Sequence, residues 1–200
     1  MNEDIDPGPM RPLHPRRGAA GARLLALAVA ACAGFAFAQA PANKLPPGDP
    51  CAVVPLPLVQ GAFPGAKAGV RSRRLEQYGS TECAWKDGSG QVVFAVNESY
   101  GSDTAKEEAQ SMALGFIDPL KPGAARNVRY ETFAGMGSEA VAFVETADAK
   151  RGILGDGALL VMRRGEHTIS LMSPALPRRG RAAALKVFED LGRVAAKRLE

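Results

Sequence analysis

The clearest pattern along this chain lies near its C-terminus. In RAAALKVFEDLGRVAAKRL, Leu185, Phe188, Leu191, Ala195 and Leu199 recur on one helical stripe, with Arg181, Glu189, Arg193 and Lys197 opposite. A long helix packed by one face is expected there, with Gly192 beside the stripe permitting a close approach. Strict alternation governs other segments. Cys83 and Trp85 share one face of Thr81–Lys86, and Val92, Phe94 and Val96 share one face of the next run, with Asp87-Gly88-Ser89-Gly90 between them. These make a hairpin. Four further aliphatic or β-branched runs, Val128–Phe133, Glu139–Glu145, Ala158–Arg163 and Glu166–Ser173, are separated by glycine-bearing turns.

Helix signals fill the gaps. Thr104 and Glu107 form a capping box before Ala105, Ala109, Met112 and Phe116, which predicts a helix over 105–116. A short helix is expected over Leu56–Phe63, delayed by Pro55 and Pro57 and stopped by Pro64-Gly65. Residues 66–80 show no period and are expected as loop. Strands joined this tightly cannot make parallel crossovers, so the fold class is α+β: an antiparallel sheet of about six strands with two to three helices packed on it. The order of elements hints at a duplicated strand-and-helix unit, although no sequence repeat is visible.

The N-terminal region has a different character. Arg11, Arg16, Arg17 and Arg23 precede an uncharged run, Leu24–Ala40, which ends in small residues and gives way to PANKLPPGDP. That order is a secretory signal. The acidic leader before Met10 fits it poorly, and Met10 is an alternative start. Ala36 and Ala38 place the cut between Ala38 and Gln39, whereas a cut after Ala40 would put Pro41 just beyond the bond. Two other fates stay open: Val29-Ala30-Ala31-Cys32 matches a lipobox in which Cys32 is lipidated, and the run is about as long as the shortest membrane-spanning helices. The expected organisation is a signal peptide over 1–38, a proline-rich flexible tether over 39–50 and one domain over 51–200.

Composition then limits the chemistry. The chain has 200 residues, 46% of them hydrophobic and 23% charged, with a net charge of +4, two histidines and three cysteines. It is a folding composition that cannot supply a multi-histidine metal cage. After cleavage 21 basic residues stand against 18 acidic ones, a mild excess that does not point to nucleic acid. Cys51 and Cys83 are then the only cysteines, and an oxidising compartment makes them one disulfide, placed beside Trp85.

Read together, Asp49-Pro50-Cys51 opening a short helix, Cys83-x-Trp85 starting a hairpin, the Gly135-Met136-Gly137-Ser138-Glu139-Ala140 turn into a strand, and a closing strand and helix resemble the exported DPC/CxW domains. These are small cell-envelope lipoproteins and secreted proteins of unknown function. The resemblance covers residues 49–199 and implies a PsbP/Mog1-like α/β/α sandwich in the periplasm or outside the cell. It carries over no catalytic residue.

No reactive constellation stands out. His167 lies in an alternating strand with Ile169 and Leu171 and reads as an ordinary strand histidine. No nucleophile elbow accompanies it, and bridged cysteines leave no Cys-His pair. Gly135-x-Gly137-x-x-Ala140 fits the dinucleotide fingerprint in letters, yet a strand follows it where the fingerprint needs a helix. Glu107 with Glu108, and Glu189 with Asp190, read as solvated helix faces. Asp148 and Asp156 flank a glycine-rich loop without the acidic alternation of a calcium loop. Neither cofactor nor metal is expected. Three arginine clusters, Arg71/Arg73/Arg74, Arg163/Arg164 and Arg178/Arg179/Arg181, read mainly as solubility charges, but would hold an anionic envelope component if they converged. The expected protein is therefore a monomeric, exported, non-catalytic binding or scaffolding module. Its partner would be an envelope protein or anionic envelope component, with membrane contact only through the signal or a lipid anchor. An enzyme with a scattered site is the alternative.

Overall fold

The computed structural model of the protein describes residues 44–200, so Cys32 and the expected cut between Ala38 and Gln39 lie outside the described residues. Seven strands form one antiparallel sheet: β1 (Val70–Ser72), β2 (Ser80–Lys86), β3 (Val92–Tyr100), β4 (Tyr130–Thr132), β5 (Glu139–Glu145), β6 (Gly157–Arg164) and β7 (His167–Met172). Their spatial order is β1-β2-β3-β7-β6-β5-β4. Two meanders, one of three strands and one of four, thus meet where β3 pairs with β7. The α+β class expected from the tight connections is the observed one, with one strand more than the alternation had marked. That strand, β1, pairs with β2 as Val70↔Ala84 to Ser72↔Glu82. It lies at the sheet edge with Val70 64% exposed, so it has no buried face to write a period into the sequence.

Helices cover both faces. The alternation of β5 and β6 sends Ala140, Ala142, Val144, Leu160 and Met162 to one side, where α1 (Leu56–Ala62) and α3 (Arg181–Ala195) pack. Val141, Phe143, Leu159 and Val161 face the other side, under α2 (Ala105–Ala113). The stripe on α3 is buried at Phe188, Leu191 and Ala195, with Leu199 continuing it in a 3-10 turn over Ala196–Leu199. Gly192 lies against the sheet: a Cβ there would stand 2.6 Å from Leu160 Cδ2 and 2.8 Å from Met136 Sδ. The capping box of α2 forms, Thr104 Oγ1 accepting from the Glu107 N–H while Glu107 accepts from the Thr104 N–H.

Cys51, in a 3-10 turn over Pro50–Ala52, is bonded to Cys83 on β2. Gly69 passes so close that a Cβ on it would meet Cys83 Sγ at 2.5 Å and the Trp85 indole at 2.7 Å, which puts the bridge and the indole side by side. Sheet, both core layers and disulfide all lie within the described residues 44–200, which thus hold a hydrophobic core and a covalent brace of their own, the elements a domain needs to fold independently.

Candidate functional site

The register gives the sheet two distinct ends, each with a polar cluster. One end is marked by Glu145↔Gly157 and Met172↔Leu159, the other by Tyr100↔His167↔Arg164.

At the first end a cleft of about 290 Å³ opens between the ends of β4 and β5, the loop 146–156 and the start of α3. Arg129, Arg151 and Arg181 line it together with Glu145, Thr146 and Gly180. Glu145, the last residue of β5, is 4% exposed. Its Oε1 accepts from the Arg129 backbone N–H at 2.9 Å and its Oε2 pairs with Arg151 Nη1 at 2.8 Å. This bond holds the Arg151 guanidinium more basic than usual, and the same carboxylate, added to burial, raises the Tyr130 phenol. Arg151 also donates to the Asn127 carbonyl. Arg181 donates to the Val144 carbonyl at 2.9 Å, the Arg129 carbonyl at 3.1 Å and Glu131 at 3.0 Å. Two guanidiniums are therefore fixed like struts, each with donors to spare out of five. Glu145 and Glu131 offset two of the three positive charges. Arg129, exposed and without an ion pair among the described residues, is the uncompensated one.

The start of α3 adds to this field. Its N-cap is Gly180, which offers no side chain to the first N–H groups, and its first turn carries no acid. Those N–H groups and the positive end of the helix dipole border the cleft. The sequence had grouped Arg181 with Arg178 and Arg179. In the fold Arg178 pairs with Asp156 at 3.2 Å and Arg179 lies 5.2 Å over the Phe63 ring, so only Arg181 of that run enters the cleft. Arg71 pairs with Glu76, and Arg163 donates to the Gly165 and Gly101 carbonyls.

At the opposite end Glu98 is fully buried on β3. His167 Nε2 and Arg198 Nε each lie 3.3 Å from its Oε1, the histidine off the hydrogen-bond line. Among the described residues, three buried side-chain atoms lack a hydrogen-bond partner: Thr81 Oγ1, Glu98 Oε2 and His167 Nε2. All belong to this spot, since Thr81 is the register partner of Glu98. Residues 44–48 lie across it. Pro46 is buried, the Pro47 carbonyl accepts from Arg198, and Lys44 Nζ sits 4.9 Å over the Tyr100 ring.

Other candidates resolve as structural. Gly135 and Gly137 adopt φ of 74° and 78° in a turn, and β5 follows as a strand. Asp148 Oδ1 accepts from the Lys150 and Arg151 N–H groups. Asp156 accepts from the Ala147 N–H and from Arg178, contacts that lower its carboxyl below the usual range. Glu189 pairs with Arg193 and Lys186, and Asp190 with Lys186.

No family model matches this chain, and neither a curated protein nor a solved structure matches it.

Proposed function

We propose that this is an exported, non-catalytic binding module of the cell envelope that holds an anionic group in the cleft of Arg129, Arg151 and Arg181. The carrying observation is convergence: arginines from three separate segments line one cleft at a helix start left uncapped and free of acids. Guanidinium groups with spare donors and free helix N–H groups recognise phosphoryl or carboxylate oxygens. The volume, at the lower end for ligand sites, suits a small head group. Export is supported by the charged, apolar and small-residue order over residues 11–40, by the Cys51–Cys83 bridge and by the resemblance to DPC/CxW domains.

Calorimetry of residues 39–200 with inorganic phosphate and with glycerol phosphate tests the reading. Saturable binding, weakened about tenfold by Arg129→Gln and reduced by salt, is the expected result. Binding indifferent to Arg129, or none, contradicts it.

One observation favours a second reading, an enzyme: a buried carboxylate, Glu98, and the His167 imidazole lie 3.3 Å apart, a pair that a small shift of the ring would bring into hydrogen-bond reach. Residues 44–48 would have to leave before substrate could enter. In the binding reading the pair is a structural lock, and Glu98→Gln alters stability while leaving phosphate binding intact.

A further inference from the structure

The arginine end of the sheet carries a second unusual feature. Leu114, Leu120 and Leu154 are 61%, 89% and 63% exposed. They stand on two connections stitched to each other. The Leu154 N–H donates to the Phe116 carbonyl at 2.8 Å, the Asp118 N–H to the Gly152 carbonyl at 2.8 Å, and Lys121 Nζ to the carbonyls of Ala149 and Lys150. The 3-10 turn over Leu114–Phe116 sits over the sheet end itself, for Phe116 packs edge-on to Phe143 and would be struck by a Cβ on Gly157. The loop 146–156 that presents Leu154 also supplies Arg151 to the cleft. On the same two connections and at the cleft, Lys121, Arg126, Arg129 and Lys150 have no ion-pair partner among the described residues, nor do Asp118 and Asp148, so the unpaired cations are in excess of the unpaired acids.

Exposed leucines on ordered loops leave apolar area in water with no return within the domain. The excess of unpaired cations on these connections chooses among possible occupants: a neutral apolar partner would leave that charge desolvated, whereas an anionic lipid surface meets both it and the leucines. We infer that this end of the domain docks on an anionic phospholipid surface, the leucines entering the boundary between head groups and acyl chains and the cleft taking a lipid phosphate. The inference rests on the anion-binding reading of the cleft and adds where the anion comes from. It also adds a membrane contact beyond any made through the N-terminal region. Cleft and leucines share one sheet end, the end that this docking would turn to the lipid surface. Neither part suffices alone, because stable interfacial binding takes an apolar and an electrostatic signal together.

The test is co-sedimentation of residues 39–200 with vesicles of phosphatidylcholine alone or containing about a third phosphatidylglycerol. Calorimetry with glycerol phosphate runs in parallel. Binding to the anionic vesicles only is expected. Leu120→Ser with Leu154→Ser, both far outside the core, should weaken vesicle binding by at least about tenfold and leave glycerol phosphate binding unchanged. Arg129→Gln should weaken both, the vesicle arm by about fivefold. Glycerol phosphate binding without vesicle binding, or vesicle binding indifferent to the two leucines, overturns membrane docking while leaving the cleft as an anion site. Absence of both overturns the cleft reading and the docking with it.

Discussion

Removing the disulfide is the most quantitative perturbation the fold offers. Cys51 and Cys83 are 32 residues apart in sequence. Closing a loop of that size removes about 12 cal/mol/K from the unfolded chain, close to 4 kcal/mol at 25 °C. Cys83 is fully buried with Gly69 and Trp85 against its sulfur, so Cys51→Ala with Cys83→Ala also loses some packing. A loss of about 3–5 kcal/mol follows, a large share of the 5–15 kcal/mol that holds a typical domain. The assay is guanidinium unfolding followed by fluorescence of Trp85, the single tryptophan, 1% exposed beside the bridge. The midpoint should fall. The slope should rise, because an uncrosslinked unfolded chain exposes more surface. Thiol titration of the unreduced, denatured wild-type 39–200 domain should find no free thiol. A loss under about 1 kcal/mol would show instead that the bridge does not restrain the unfolded chain.

Arg198→Ala strips a partner from the buried Glu98 carboxylate and should cost about 2 kcal/mol, less than a fully buried pair because Arg198 is a third exposed; Glu98→Leu with Arg198→Leu should recover most of it in the same denaturation assay. Gly192→Ala should destabilise by about 1 kcal/mol despite the gain in helix propensity, since its Cβ would collide with Leu160 and Met136; a higher melting temperature would contradict the packing described. Burial, with the Asp103 charge added, raises the Glu108 carboxyl. Its ionised form is thus disfavoured in the fold, a penalty present at neutral pH and relieved as pH falls through the raised folded value. Glu108→Gln should therefore stabilise the domain at pH 7, and the gain should vanish in acid when stability is compared across pH.

Much of the fold was legible because periodicity and burial coincide. The α3 stripe, the capping box at Thr104, the alternation in β2 and β3 and the aliphatic runs of β5, β6 and β7 all record buried faces. Edge elements were not legible. β1 buries almost nothing, and β4 keeps only Tyr130–Thr132 of the run expected over Val128–Phe133. The capped helix likewise stops at Ala113 and tightens into a 3-10 turn through Phe116. The cleft was the least legible part. Arg129, Arg151 and Glu145 are far apart in sequence, and only strand register and the loop 146–156 bring them together. Glu98 did leave a sign: it extends the inward series Phe94 and Val96 with a carboxylate, and a charge at an inward position demands a partner.

The cleft itself is most directly tested by mapping the backbone amides of residues 39–200 by nuclear magnetic resonance while inorganic phosphate is titrated in. Saturable shifts confined to Arg129, Val144–Thr146, Arg151 and the first turn of α3 at Arg181–Ala183, lost in Arg129→Gln, are the expected result. Shifts centred instead on Arg71–Arg74 or Arg163–Arg164, or scattered without saturation, would contradict an anion site at the arginine end of the sheet.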